Sequence, residues 1–175
     1  LTYYKGHALL IKAVTEVPEV TLDIVGDGEE RQALSQLIES LGLSQRVCLR
    51  GTLGSDALDT AIKNCDLVCL PSIERTEAFG LVLLEAARAG KSALVTGVEG
   101  SGMSWVVEDG VTGWTVLPES ATALVEALGD VAENRHELVR RGALAKGRFE
   151  KQFQIASVAA SINQLYLSIS RSKSR

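Results

Sequence analysis

Two kinds of segment alternate along the chain. Short runs rich in apolar and β-branched residues predict strands at 20–25, 47–50, 67–70, 92–96 and 113–117. Longer segments, with apolar residues every three to four positions, predict helices at 6–15, 29–41, 56–64, 81–89, 122–133, 135–146 and 154–169. Because alternating strands and helices are typical of βαβ units, the pattern predicts an α/β fold with a doubly wound parallel sheet of the Rossmann-like type.

Two of the predicted helices also carry start signals. Ser120 stands just before the helix at 122–133, where its hydroxyl can accept a hydrogen bond from the first turn. Asn134, followed three residues later by Glu137, has the spacing of a capping box.

The 175 residues contain no repeat, linker or charge block, so we predict a single domain over 1–175. The series opens on a helix rather than a strand. We therefore expect that a first strand lies outside this chain, before Leu1.

Composition narrows the class of protein. Hydrophobic residues make up 46% of the chain and charged residues 23%, which argues against disorder. A net charge of -4 argues against nucleic acid as a partner. No apolar run approaches the ~20 residues of a membrane helix, so we expect no transmembrane segment and a cytoplasmic location.

Cysteine usage supports the same location. Cys48, Cys65 and Cys69 are an odd set within or beside apolar segments, and we predict reduced thiols in the core. His7 and His136 lie far from them in sequence, so no tetrahedral metal site is proposed.

The loops that follow the strands are where ligands bind in open parallel sheets. The loop at 71–80 is the most informative, since Glu77 and Gly80 lead into an apolar helix that carries Glu85. Gly80 would let backbone N–H groups approach a phosphate or sugar closely. Two structural interpretations stay open: Glu77 favours the positive end of the helix dipole, and Glu85 pairs with Arg88.

A set of short motifs follows one another in a fixed order along about 4–128. They are Lys5-Gly6-His7, Val25-Gly26-Asp27-Gly28, Val47-Cys48-Leu49-Arg50-Gly51, Cys65-Asp66-Leu67, Pro71-Ser72, Glu77-x-Phe79-Gly80, Glu85-Ala86, Gly90-Lys91 and Glu108-Asp109-Gly110-x-Thr112-Gly113. In order and spacing this set resembles the Glu-x7-Glu region and neighbouring landmarks of the group 1, or family 4, retaining glycosyltransferases with the GT-B fold.

The resemblance implies that this chain is the C-terminal half of a GT-B fold, which binds a nucleotide sugar. Glu77 would be the catalytic residue that contacts the donor sugar near the reacting centre. Glu85 would accept hydrogen bonds from ribose hydroxyls, and Lys5 would neutralise the diphosphate. The backbone would meet sugar and phosphate oxygens at Ala78, Phe79, Gly80 and Leu81.

Two further positions are weaker candidates for the donor site. Gly26 would be needed for a tight turn whether or not it meets ligand. Arg50 could lie near the nucleobase, but an exposed arginine at a strand end is the alternative.

The resemblance also implies the reaction. The parent protein would transfer a hexosyl group with retention to a glycan or lipid-linked acceptor, bound by an N-terminal domain absent from this chain. No metal or other cofactor would be required. Bacterial polysaccharide assembly would be the setting, with attachment at the inner face of the membrane through the absent domain.

Alternatives and departures accompany this interpretation. A non-catalytic nucleotide-binding module of the same fold and a nucleotide-sugar epimerase are the rival functions. A basic residue that commonly shares the diphosphate would fall before Leu1. Trp105 lies in a segment where many members carry a glutamate, and we expect it to pack in the core. His7 is expected on a helix surface.

Overall fold

Five parallel strands form two sheets in residues 1–172, the part of the chain that this computed structural model describes. In the first sheet β1 (Leu22–Val25) pairs with β2 (Val47–Gly51). In the second, β4 (Ser92–Thr96) lies between β3 (Leu67–Leu70) and β5 (Gly113–Val116). Each predicted strand is present within two residues of its expected bounds.

The strand order is that of a doubly wound fold, but the expected single sheet is divided. Dinucleotide-binding folds follow the order 3-2-1-4-5-6, and β1 to β5 take positions 2 to 6 of that order. Position 1 corresponds to the space between β1 and β3, which share no hydrogen-bonded ladder in the described residues.

Helices connect the strands and follow the last one. A 3-10 turn (Tyr3–Lys5) precedes α1. The helices are α1 (His7–Glu16), α2 (Arg31–Ser40), α3 (Ser55–Asn64), α4 (Leu81–Arg88), α5 (Met103–Val106), α6 (Ala121–Glu133), α7 (Arg135–Gln152) and α8 (Ile155–Ser172). None of those described is long and apolar enough to cross a bilayer.

The helices pack in two groups, each over its own hydrophobic cluster. Helix α1 packs against α2 and α6, whereas α4 packs against α3 and α7. Strand β4 is buried along its whole length and serves both clusters, with Leu94 in the first and Ala93 and Val95 in the second. This alternation of side chains is the ordinary pleat of a strand covered on both faces.

The two predicted caps have different outcomes. The Ser120 cap is confirmed, because its side-chain oxygen accepts a hydrogen bond from the Ala123 amide at 3.1 Å. The capping box is wrong: the Asn134 side-chain amide donates instead to Asp130 Oδ1 at 2.8 Å. Glu137 pairs with Arg140 and Arg141, whose hydrogen bonds lower the pKa of that carboxyl to about 2.

The predicted cysteine core is partly wrong. Cys48 is exposed, because it points away from the buried face of β2. Cys65 and Cys69 are half-buried, and burial raises the pKa of both thiols, that of Cys69 to about 12. All three are free thiols in the structure.

Candidate donor site

The loops after β3 and β4 meet at the same edge of the second sheet. These strands are parallel, with Leu70 opposite Val95, so their carboxyl ends lie side by side. The Ser101 hydroxyl donates to the Glu77 carbonyl at 2.5 Å. The Gly102 amide donates to the Ala78 carbonyl at 2.7 Å. The second loop therefore fixes the backbone of residues 77–80, which we call the donor loop.

The start of the chain fixes the same region from another direction. The Ile73 amide donates to the Tyr4 carbonyl at 2.8 Å. Gly6 follows with a positive φ of 69°, and a Cβ there would overlap the Pro71 carbonyl oxygen. Only glycine allows this close approach, which places the end of the 3-10 turn over the loop that follows β3.

This close approach brings together Lys5 and Glu77, which are 72 positions apart. Their ammonium and carboxylate form an ion pair, with 30% of the lysine side chain and 13% of the glutamate side chain exposed. Lys5 is therefore not a freely solvated surface lysine. The resemblance implies a role at one ligand for each residue, and the structure places their charged groups in contact.

Gly80 begins α4 and has a positive φ of 75°. A Cβ there would lie 2.7 Å from Leu70 Cδ2 and 2.9 Å from Leu83 Cδ1, so the position is closed to a side chain. Leu81, the first residue of the helix, is largely exposed. Because the first N–H groups of a helix have no partner within it, this helix start can receive an anion.

Glu85 lies half-buried in the second turn of α4. The alternative pairing with Arg88 is wrong, since Arg88 Nη2 donates to Asp59 Oδ1 on α3 at 3.1 Å. Among residues 1–169, whose side chains the structure describes, none forms a hydrogen bond or an ion pair with the Glu85 carboxylate. A half-buried carboxylate without a protein partner is available to hydroxyl groups of a ligand.

The weaker candidates lie on the first sheet. Gly26 directly follows β1 with a φ of 124°, and its amide donates to the Gly51 carbonyl at 2.8 Å. Arg50 donates to Asp23 at 2.9 Å in an ion pair whose two side chains are more than half exposed. Arg50 is thus engaged at the surface of this sheet rather than with Lys5 or Glu77.

The turn after Gly26 has a further role that the sequence did not reveal. The chain's amino group donates to the Asp27 carbonyl, and the Glu30 amide donates to the Leu1 carbonyl at 3.1 Å. A Cβ at Gly28 would overlap the Leu1 backbone. The glycine is therefore needed for the close approach of another chain segment.

Two side-chain environments differ from those expected. His7 is half-buried rather than on the surface, and this burial, helped by the positive charge of Lys5, lowers its pKa to about 4. Trp105 is 56% exposed rather than part of the core. It lies on α5, whose four residues are too few for periodicity to reveal the helix.

The family model for glycosyl transferases, group 1, matches residues 1–165. The chain belongs to the group 1 glycosyltransferase family. Among curated relatives, the O-antigen chain mannosyltransferase C of Escherichia coli is 33% identical over 172 residues. Phosphatidyl-myo-inositol mannosyltransferase of Mycobacterium leprae is 31% identical over 176 residues. Each match covers 98% of this chain, but 46% and 45% of those relatives, so the chain spans about half their length.

Solved structures show the same coverage of about half of each neighbour's length. Anabaena HepE, solved in complex with UDP, superposes with a TM-score of 0.85 and 28% identity, covering 96% of this chain and 46% of HepE. The sucrose-phosphate synthase of Thermosynechococcus elongatus superposes with a TM-score of 0.82 and 25% identity. The expected α/β fold, one half of a GT-B architecture, is confirmed in this member of the group 1 family.

Proposed function

We propose that this chain is the donor-binding domain of a retaining glycosyltransferase, which transfers a hexosyl group from a nucleoside-diphosphate sugar to a glycan or lipid-linked acceptor. The observation that carries the proposal is the Lys5–Glu77 ion pair beside the start of α4. The UDP bound by HepE, a relative with the same fold, supports a nucleotide donor.

The positive charge of Lys5 and the start of α4 would stabilise a diphosphate whose negative charge grows as it leaves. The Lys5 ammonium has three donors, so it can pair with Glu77 and still bind phosphate oxygens. Its charge also offsets the repulsion between the Glu77 carboxylate and the diphosphate. The N-terminal amides of α4 add a second stabilising group for the leaving phosphate.

The carboxylates then have separate roles. Glu77 contacts the sugar and orients it while the bond from the anomeric carbon to the diphosphate oxygen breaks. The acceptor oxygen attacks from the same face, and the proton of the acceptor hydroxyl passes to the departing diphosphate oxygen. Glu85, with no protein partner in the described residues, accepts hydrogen bonds from the ribose hydroxyls. Interactions that strengthen as the leaving group departs are the ones that accelerate transfer.

We propose that no metal ion takes part, with Lys5 and the helix start supplying the positive charge instead. Within residues 1–172 no three His, Cys, Asp or Glu side chains are grouped so that they could hold a metal ion. Transfer by the parent protein in the presence of EDTA tests this point, and loss of activity that added Mg²⁺ restores would contradict it.

The remainder of the parent protein completes this picture. We propose that a further parallel strand lies between β1 and β3, and that a second domain binds the acceptor. Strand order supports the first point, and the coverage of about half of each relative supports the second. We also propose a cytoplasmic location, with any membrane attachment made by that second domain.

Calorimetric titration of this chain with UDP, GDP, ADP and their sugar conjugates tests donor binding. We expect one nucleotide to bind saturably, without transfer to acceptor by this domain alone, since the second substrate has no site here. If none of these nucleotides binds, or if this domain alone transfers sugar, the assigned role is wrong.

Substitutions at Glu85 and Lys5 test the proposed ribose contact and the proposed phosphate contact separately. Glu85→Ala removes a charged hydrogen-bond acceptor, so we expect Kd for the nucleotide to rise by roughly 10-fold to 100-fold. Glu126→Ala, which removes an exposed carboxylate on α6, is the matched control and should leave Kd unchanged. Lys5→Ala should weaken binding of the nucleoside diphosphate while leaving that of the nucleoside unchanged, because phosphate is the only part of the ligand that the lysine is proposed to contact.

The stereochemistry of transfer can be tested with the product of the parent protein. Proton NMR of its product should show the donor's anomeric configuration, and an inverted product would contradict retention. Donor binding without any transfer by the parent would favour the non-catalytic alternative.

A further inference from the structure

Three aromatic rings form a cluster beside the donor loop. The Trp105 ring centroid lies 4.9 Å from that of Phe153 and 6.0 Å from that of Phe79. Phe79 and Phe153 are 6.4 Å apart with their planes at 72°. We call these three side chains the aromatic cluster. They come from the donor loop, from α5 and from the end of α7, so the cluster joins three separate segments.

Phe79 is held from two sides. A Cβ at Gly102 would lie 3.0 Å from both Phe79 Cδ2 and the Ala78 carbonyl oxygen, so the bare glycine backbone packs directly against the donor loop. Trp105, three residues further along the chain, covers the Phe79 ring. One short segment therefore both bonds the donor-loop backbone and packs against its aromatic side chain.

The backbone of Trp105 is itself anchored. Arg148 Nη2 on α7 donates to the Trp105 carbonyl at 2.7 Å, and the Arg148 guanidinium pairs with Glu108 at 3.3 Å. The neighbouring Met103 and Val106 are buried in the second hydrophobic cluster. The backbone that carries the indole is thus anchored even though 56% of the residue is exposed.

We propose that Trp105 is a positioning residue for the donor loop. Its ring holds Phe79 in place and so keeps the Glu77 side chain and the helix start at Gly80 in the arrangement that receives the sugar and diphosphate. This inference rests on the proposed function, because it requires the donor loop to bind a nucleotide sugar. Trp105 acts through Phe79 and need not touch the reacting atoms.

Intrinsic fluorescence of the unmodified chain tests the inference without any risk of misfolding. Trp105 is exposed and lies against the donor loop, whereas Trp114 is buried on β5, with its indole N–H donating to Asp130. Titration with the nucleotide sugar that binds in calorimetry should shift the emission saturably, with the same Kd. The shift should vanish in Trp105→Phe, which retains an aromatic ring.

Affinity measurements separate positioning from general stability. We expect Trp105→Ala to raise Kd for the nucleotide sugar about 3-fold to 10-fold and to leave Kd for the nucleoside alone unchanged. Trp105→Phe should restore most of the affinity. Leu117→Ala, which shortens an exposed apolar side chain elsewhere, is the matched control and should change neither value.

The outcomes distinguish the two proposals. If the chain binds no nucleotide or nucleotide sugar, the proposed function fails and this inference fails with it. If it binds the donor, but Trp105 emission does not respond, or Trp105→Ala binds the nucleotide sugar as tightly as the unmodified chain, the positioning role alone is overturned. Equal losses for the nucleoside and the nucleotide sugar would also overturn it, since they would indicate a general disruption.

Discussion

At the scale of the residue, Gly80 is the position where backbone conformation matters most for the site. It combines a φ of 75° with a Cβ position closed by Leu70 and Leu83. Gly80→Ala should therefore lower the free energy of unfolding by about 2 to 3 kcal/mol in urea titrations. Gly129→Ala is the matched control. It lies inside α6 with no atom in the way and should be neutral or stabilising by up to about 1 kcal/mol. Equal effects would contradict the strain at Gly80.

His7 predicts a dependence of stability on pH. Burial lowers its pKa from 6.5 to about 4 in the folded chain. As the pH falls below 6.5, the imidazole therefore binds a proton in the unfolded chain but not in the folded chain. Above pH 6.5 this group leaves the free energy of unfolding unchanged. Between pH 6.5 and 4 it lowers the free energy of unfolding by up to about 3 kcal/mol. In His7→Gln, unfolding free energies should decline less steeply across that window. His136→Gln, at a largely exposed position, should keep the original slope.

The sequence indicated which residues are candidates for the site, but it did not indicate which other residues each of them contacts. Motif order identified Lys5, Glu77 and Glu85 as candidates, but nothing in local spacing could show that Lys5 and Glu77 pair over 72 positions. Arg88 has the right spacing for Glu85 and nevertheless bonds Asp59, because α3 packs against α4. Tertiary packing decides such pairs, and helical periodicity does not contain it.

At the scale of the element, the two helix starts at Ser120 and Asn134 provide a direct comparison. Ser120→Ala removes a hydrogen bond to the Ala123 amide, so the free energy of unfolding should fall by about 1 kcal/mol. Asn134→Ala removes only an exposed bond to Asp130 and should cost less. Thermal and urea unfolding of both variants check this order, and a larger loss for Asn134→Ala would contradict the assigned caps.

Strands and long helices could be predicted from periodicity, whereas short elements and helix ends could not. Helix α7 runs to Gln152 rather than stopping before Gly147, because that glycine faces open space and Phe153 packs at the end of the helix. Helix α5 has four residues, about one turn, which is too short to show a period. Its role at the donor loop depends on hydrogen bonds from Ser101 and Gly102 to backbone carbonyls, which side-chain patterns do not encode.

At the scale of the whole molecule, α8 contributes little to the domain. Its apolar residues remain exposed, from 40% at Val158 to 89% at Ile155. Removing residues 155–175 should therefore change the free energy of unfolding by less than about 1 kcal/mol. Urea unfolding of the shortened chain, which retains Phe153 and the aromatic cluster, is the measurement. Loss of the cooperative transition would mean that α8 holds the domain together.

The fold class could be predicted at this scale, and a first strand outside this chain stays a prediction, but which of the present strands pair could not be predicted. Alternating strands and helices indicate a doubly wound order, and the observed order agrees with it. The hydrophobic pattern indicates which faces of a strand are buried, but it does not determine which other strand pairs with it. Only the structure shows that β1 and β3 share no ladder in the described residues.

That division leaves β1 and β3 each with an unpaired edge in the described residues. Main-chain hydrogen bonds join the strands within each sheet, whereas the two sheets meet through packed side chains such as Ile24, Leu94 and Trp114. The strand proposed between β1 and β3 would pair with both edges. In the parent protein the turn at Gly26 and the donor loop would then be carried by one continuous sheet.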